Sequence, residues 1–182
     1  MKELVTIDGD ALVARREHED THFVDCDFGT RDLSGMRFTD CIFERCNLTG
    51  ATLADTGLND VAFIGCKLVG VALRDVRTML LSLRFEDCRL DYADLAGLAL
   101  VKTHFVRCSL IEVSLVDTNL SGAVFVDCDV ARATFRGTNM TNADLRGLHN
   151  LVLDPDQNKL QKARVALDAL PGLLTKHKLR VD

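Results

Sequence analysis

The 182-residue chain has no tryptophan, one tyrosine and two prolines, and 47% of its residues are hydrophobic, which excludes a generally disordered chain. Its net charge of −5 argues against direct binding to DNA or to an anionic membrane. No apolar run approaches the ~20 residues that cross a bilayer, and the first ten residues lack the features of a signal peptide. We therefore expect a cytoplasmic protein whose seven cysteines are reduced thiols.

Residues 1–20 do not follow the pattern of the rest of the chain, and we predict an N-terminal cap there. Leu4, Thr6 and Ile7 are compatible with a strand, whereas residues 10–19 are compatible with a short polar turn of helix. The sequence leaves both alternatives open.

From Phe23 onward a large apolar residue recurs at every fifth position. The first run of these central residues is Phe23, Phe28, Leu33, Phe38, Phe43, Leu48, Leu53, Leu58, Phe63, Leu68 and Leu73. After a shift of two residues, the run continues with Leu80, Phe85, Leu90, Leu95, Leu100, Phe105, Leu110, Leu115, Leu120, Phe125, Val130, Phe135, Met140 and Leu145. A period of five fits short extended segments joined by tight corners, with each central residue and the residue two before it pointing inward. We predict a solenoid over residues 21–147 with a two-residue insertion at Val76-Arg77.

A second period of twenty residues indicates how many sides the solenoid has. The motif Phe-x-x-Cys occurs six times, at a spacing of twenty residues or of twenty-two across the insertion. Its residues are Phe23 and Cys26, Phe43 and Cys46, Phe63 and Cys66, Phe85 and Cys88, Phe105 and Cys108, and Phe125 and Cys128. Twenty residues are four five-residue segments, so a four-sided coil stacks the phenylalanines in one column and the cysteines in another. Six coils at ~4.8 Å each predict a rod on the order of 29 Å long.

The composition changes at residues 148–182, which lack Phe and Cys and contain both prolines. Leu160, Ala163, Leu167, Leu170 and Leu174 keep helical spacing, but Pro171 would interrupt a continuous helix. The favoured alternative is an extended segment over 159–167, followed by a short helix that Asp168 caps and that has Pro171 in its first turn. The final residues 178–181 alternate as a strand does. We predict a C-terminal cap.

The five-residue pattern resembles that of the pentapeptide-repeat family, and the resemblance implies an all-β solenoid, a right-handed quadrilateral β-helix. The tail, with Leu153-Asp-Pro, residues 158–164 and Leu173-Leu174, is similar to the C-terminal module of one subgroup. That subgroup contains the quinolone-resistance (Qnr-type) proteins and the albicidin and microcin self-immunity proteins. The resemblance implies a helical dimerisation module at 148–182 and a role in protecting DNA gyrase and related type II topoisomerases from poisons, through dimeric rods that resemble duplex DNA.

The sequence offers no catalytic motif and no metal site. His22 and His104 each precede a cysteine by four residues, but both histidines fall on outward positions while all seven cysteines, including Cys41, fall on inward ones. Buried thiols behave as small apolar side chains, so we interpret the cysteines as core residues. Walker, dinucleotide, zincin and G-x-S-x-G motifs are missing. We expect a protein that is not an enzyme and needs no cofactor.

The acidic residues provide the candidate binding site. Between residues 21 and 147, seventeen Asp and Glu stand against thirteen Lys and Arg, far fewer net charges than the ~17 of a DNA segment of ~29 Å. One face, centred on Leu33 and its equivalents, concentrates acids at outward positions: Asp32, Asp55, Asp75, Asp94 and Asp117. These five are the predicted partner-binding residues. Solubility and protection of strand edges explain them equally well.

Leucines near the C-terminus provide the candidate dimer interface. They are Leu167, Leu170, Leu173, Leu174 and Leu179. One narrow rod end cannot bury all of them, so we predict a homodimer that pairs end to end. The expected partner is a type II topoisomerase such as DNA gyrase, without direct nucleic-acid or membrane binding. The alternative is a protein-interaction scaffold with an unrelated target, which the absence of long projecting loops favours.

Overall fold

Short parallel strands form most of the regular structure. The computed structural model describes residues 3–5 and 15–177, with the backbone alone at 3–5. Within these residues the strands β1 to β12 are, in chain order, Glu3–Val5, Glu17–Glu19, Thr21–Val24, Arg37–Thr39, Ile42–Glu44, Gly57–Asn59, Val61–Ile64, Leu83–Glu86, His104–Val106, Val124–Val126, Cys128–Asp129 and Leu148–His149. No helix in this part of the chain is long and apolar enough to cross a bilayer.

The strands stack as the twenty-residue period predicts. The largest sheet has the order β1-β3-β5-β7-β8-β9-β10, and smaller sheets contain β2-β4-β6 and β11-β12. All pairs are parallel, and Phe23 pairs with Phe43, which in turn pairs with Phe63. Isolated bridges with the same offset continue the ladders on the remaining sides. The prediction of a right-handed quadrilateral β-helix is confirmed, with about seven turns.

Two columns of buried side chains fill the interior. The six phenylalanines of the Phe-x-x-Cys motifs stack with ring centroids 4.7 to 5.5 Å apart. The cysteines lie beside them, and each thiol of Cys46, Cys66, Cys88 and Cys128 donates to the carbonyl of a phenylalanine one coil earlier, at 3.2 to 3.5 Å. Buried backbone carbonyls are thus satisfied by a small side chain that also packs well. The core assignment of both columns is confirmed.

The corners require an unusual backbone conformation. Residues two positions after the centre of a side adopt a positive φ, such as 54° at Asp40 and 70° at Gly50. Glycine reaches this left-handed region without steric cost, and Asp and Asn reach it more readily than other side chains. Many aspartates of the repeat therefore have a conformational reason for their position, independent of binding.

The insertion lies later than the sequence predicts. Arg77 bridges Gly57 at an offset of twenty residues, whereas Leu83 pairs with Val61 at twenty-two. The two extra residues consequently fall between Arg77 and Leu83, and the placement at Val76-Arg77 is wrong. Leu80, expected in the core, is 72% exposed because it occupies the enlarged corner, whereas the partly buried Leu81 packs against the core.

Parallel pairing reaches beyond residues 21–147 at both ends. Strand β2 pairs with β4, so residues 17–19 are extended and not helical, and β1 pairs with β3. His18 occupies an inward position in the first coil and stacks on Phe38 at 5.4 Å. At the other end, Lys159 bridges Asn139 and Arg164 bridges Asp144. The sequence missed these segments because His18 interrupts the Phe/Leu pattern at the N-terminal end, and Asn150 and Pro155 interrupt it before Leu160.

The C-terminal segment follows the extended alternative. Residues 159–166 contain bridges and a turn, and the helical part consists of the 3₁₀ helix Leu167–Ala169, the helix α1 at Leu170–Leu173 and the 3₁₀ helix Thr175–His177. Pro171 lies in the first turn of α1, as expected. Asp168 does not cap it, because Asp168 lies inside the preceding 3₁₀ turn, which begins after Ala166 without a side-chain cap. The strand predicted at 178–181 lies outside the described residues.

Candidate protein-binding surface

The thiols are buried inside the solenoid. In residues 15–177 no cluster of three His, Cys, Asp or Glu side chains could hold a metal ion. All seven cysteines are buried, and none forms a disulfide. The hydrogen bond with Cys46 and burial raise the pKa of the Cys66 thiol to about 12, which keeps it protonated at neutral pH. Since the thiolate is the metal ligand and nucleophile, this column acts in packing.

Arginines neutralise the middle of the predicted acidic face. Arg77 holds Asp55 with two hydrogen bonds, Nε to Oδ1 at 3.1 Å and Nη2 to Oδ2 at 2.6 Å. These bonds lower the pKa of Asp55 below its ordinary value. Arg74 lies between two further members of the set, 2.9 Å from Asp94 and 3.5 Å from Asp75. Three of the five predicted residues therefore present paired charges to a partner.

The other two predicted acids have local structural roles. Oδ1 of Asp32 accepts from the backbone N–H of Ser34 at 2.9 Å, which is the turn geometry that aspartate often adopts. Asp117 occupies a left-handed corner with φ 55° and packs against Gly137. The structure places all five on one side of the rod without joining them into a continuous acidic surface.

A second row of acids, which the sequence reasoning did not single out, has no such neutralisation. Asp20, Asp40 and Asp60 occupy the same corner in three successive coils, with φ of 50°, 54° and 51°. Among the described residues none of them forms an ion pair, and Asp60 accepts only from Ser82 Oγ, at 2.9 Å. The signal was present in the sequence as three aspartates exactly one coil length, twenty residues, apart.

The C-terminal leucines separate into two groups. Leu173 packs against the solenoid core. Leu167 is 86% exposed, Leu170 41% and Leu174 37%, so they form an apolar surface at this end of the rod. Leu179 lies outside the described residues.

Two contacts fix the C-terminal helical segment, residues 167–177, to the last coil. Gly172 lies so close to the coil that a β-carbon there would stand 1.7 Å from the carbonyl oxygen of Leu151. Lys176 forms ion pairs with Asp154, at 2.8 Å, and with Asp156. Hydrogen bonding from Lys176 is the main cause that lowers the pKa of Asp154 to about 2.

Two family models match the repeats of this chain. A model described as a pentapeptide repeat region matches residues 36–113, and a second, described as pentapeptide repeats (8 copies), matches residues 114–147. Together they span more than half of the chain.

The chain belongs to the pentapeptide-repeat family.

Two solved structures of QnrB1 variants show the same fold. A trypsin-treated variant of QnrB1, a plasmid-mediated fluoroquinolone resistance protein, matches this pentapeptide-repeat protein with a TM-score of 0.59 and 20% identity, over 91% of this chain and 90% of the chain in that structure. A second trypsin-treated QnrB1 variant gives 0.51 and 22% identity, over 91% of each chain. HetL, involved in heterocyst differentiation regulation in the cyanobacterium Nostoc, gives 0.38 and 14% identity, over 82% and 84%. No curated protein sequence matches.

Proposed function

We propose that this pentapeptide-repeat protein binds a type II topoisomerase such as DNA gyrase and protects it from a poison. The observation that carries the proposal is the extent of the likeness to QnrB1, which runs past the repeats into the C-terminal end and covers about nine tenths of both chains. QnrB1 is a fluoroquinolone resistance protein. The tail motif that resembles the Qnr-type module supports the same function independently.

The surface supports protein binding in preference to catalysis. The rod presents shallow depressions, its cysteines are buried, and burial together with hydrogen bonding from Cys46 raises the pKa of the Cys66 thiol. A rigid solenoid offers an extended surface at little entropic cost, because its backbone is already ordered. We place this binding in the cytoplasm, with no cofactor.

The proposed DNA mimicry rests on the dimensions of the rod more than on its charge. About seven coils at ~4.8 Å give a rod of roughly 34 Å, along which duplex DNA carries ~20 charges. The repeat region has a surplus of four acids, and several acids pair with arginine. We therefore propose that the rod occupies a DNA-binding surface by its dimensions and through local acidic contacts.

We also propose that the protein is a homodimer. The exposed Leu167, Leu170 and Leu174 lie at one end of the rod, where a two-fold contact would bury them and double the length of the assembly. The paired rod has a two-fold axis, and so does a two-fold symmetric topoisomerase.

A scaffold for an unrelated protein is the second candidate. It is favoured by the arginine pairing of the predicted acidic face and by the absence, between residues 15 and 177, of a projecting loop longer than the enlarged corner after Arg77. A scaffold would bind a protein and leave topoisomerase activity unchanged.

A supercoiling and cleavage assay separates the two candidates. Purified DNA gyrase is incubated with relaxed plasmid, ATP and a fluoroquinolone, with increasing amounts of the protein. We expect supercoiling to recover and drug-stabilised cleaved DNA to fall as the protein is added. Unchanged supercoiling and cleavage at micromolar protein, together with no measurable binding to gyrase, would reject topoisomerase protection and leave the scaffold.

A further inference from the structure

The enlarged corner carries the most exposed large apolar side chains of residues 21–147. Met79 and Leu80 are 75% and 72% exposed, in a protein whose other central residues are almost fully buried. They border a notch of about 160 Å³ that Gly57 also lines. Arg37, Thr39, Asn59 and Arg77 are among its other lining residues.

The notch itself is not an anion site. The guanidinium of Arg77 is held by Asp55 and that of Arg37 by Glu17, at 2.6 and 2.7 Å. With its arginines paired, the notch offers apolar contact and the side chains of Thr39 and Asn59. Met79 and Leu80 stand beside it as a projecting edge.

The acid row at Asp20, Asp40 and Asp60 leads directly to this edge. Asp60 follows Asn59 of the notch lining, and Ser82, which donates to Asp60, lies two residues after Leu80. At other corners the chain places an arginine one coil after an acid, as in Asp25 with Arg45 and Asp87 with Arg107. In the row of Asp20, Asp40 and Asp60 the chain instead stacks three negative charges ~4.8 Å apart, and like charges on neighbouring strands destabilise a sheet.

We propose that this surface, formed by Asp20, Asp40, Asp60, Met79, Leu80 and the notch, docks a protein surface in which basic side chains flank an apolar contact. The inference rests on the proposed function and names the side of the rod that meets the topoisomerase. The acids match the positive charge of a DNA-binding protein surface and guide its approach. Met79 and Leu80 provide the apolar centre that a specific interface needs, since charges alone contribute mainly to association rate.

Binding of surface variants to immobilised DNA gyrase tests the assignment. Met79→Gln with Leu80→Asn removes the apolar edge, and Asp40→Asn with Asp60→Asn removes two charges. Asn suits each left-handed corner, so the fold is maintained. We expect at least tenfold weaker binding for each double variant, and a smaller dependence of the association rate on salt for the aspartate variant.

Matched controls change equivalent positions elsewhere. Tyr92→Asn removes another exposed large residue at a left-handed corner, and Asp127→Asn removes a corner acid on a different side; both should bind as the wild type does. Equal binding by the wild type and both double variants would overturn the assigned surface and leave the proposed function intact. A wild type that does not bind gyrase would overturn the proposed function and this inference with it.

Discussion

At the scale of single residues, position within the five-residue segment decides what each side chain does. An aspartate two positions after the centre of a side adopts the left-handed backbone conformation of the corner, as Asp40 and Asp55 do, whether or not it contacts a partner. A count of the acids on a face therefore overstates the evidence for a binding site there. The useful distinction is between corner acids with an arginine one coil away and those without one, and it separates Asp55 from Asp40.

The phenylalanine column allows a residue-scale prediction. Phe105 is fully buried between Phe85 and Phe125, at centroid distances of 5.2 and 4.9 Å. Phe105→Ala should lower the free energy of unfolding by ~3–5 kcal/mol, because it removes one layer and leaves a cavity. Val106→Ala, the neighbouring outward position, should change it by less than about 1 kcal/mol. Urea unfolding followed by circular dichroism measures both, and similar losses would contradict the inward and outward assignment.

At the scale of coils and corners, the sequence predicts what repeats and fails where the repeat is interrupted. The twenty-residue spacing predicted the Phe and Cys columns, because the Phe-x-x-Cys motif recurs six times at the same place in successive coils. The insertion was misplaced because both Val76 and Leu80 are apolar, and a two-residue shift does not show which of them faces inward. The pairing of Arg77 with Asp55 could not be predicted from the sequence either. A long arginine side chain can reach several neighbours, and the misplaced insertion put Arg77 out of register with Asp55.

The contact between the last coil and α1 gives a prediction at the scale of elements. In Gly172→Ala the new methyl group would overlap the Leu151 carbonyl oxygen, which belongs to backbone that cannot move independently of its coil. We expect a loss of ~1–3 kcal/mol and faster proteolysis of the C-terminal segment, as for overpacked sites in general. Gly57→Ala is the control, since its methyl group would meet Arg37 Cγ at an ordinary 3.5 Å. Equal stability and equal proteolysis of the two variants would show that α1 does not depend on this close approach.

At the scale of the whole molecule, the rod has ends that differ in chemistry. Asp20 and Asp40, which form no ion pair with the described residues, lie in the first coils, whereas the exposed leucines lie after the last one. Pairing through the leucine end would place the acidic ends outermost, in a rod of roughly 60 to 70 Å at ~4.8 Å per coil. The docking surface would then occur twice, related by the two-fold axis, as a symmetric partner requires.

The last prediction tests this pairing. Leu167→Asp with Leu170→Asp puts two charges into the most exposed part of the leucine surface and leaves Leu173, which packs on the core, unchanged. Sedimentation velocity at tens of micromolar should show a dimer for the wild type and a folded monomer for the variant, because a buried unpaired charge costs several kcal/mol in an interface. Tyr92→Asn, far from the C-terminal end in sequence, should remain dimeric. A monomeric wild type would remove the two-fold rod and reduce the docking surface to a single copy, and the measured gyrase stoichiometry would have to be one rod per site.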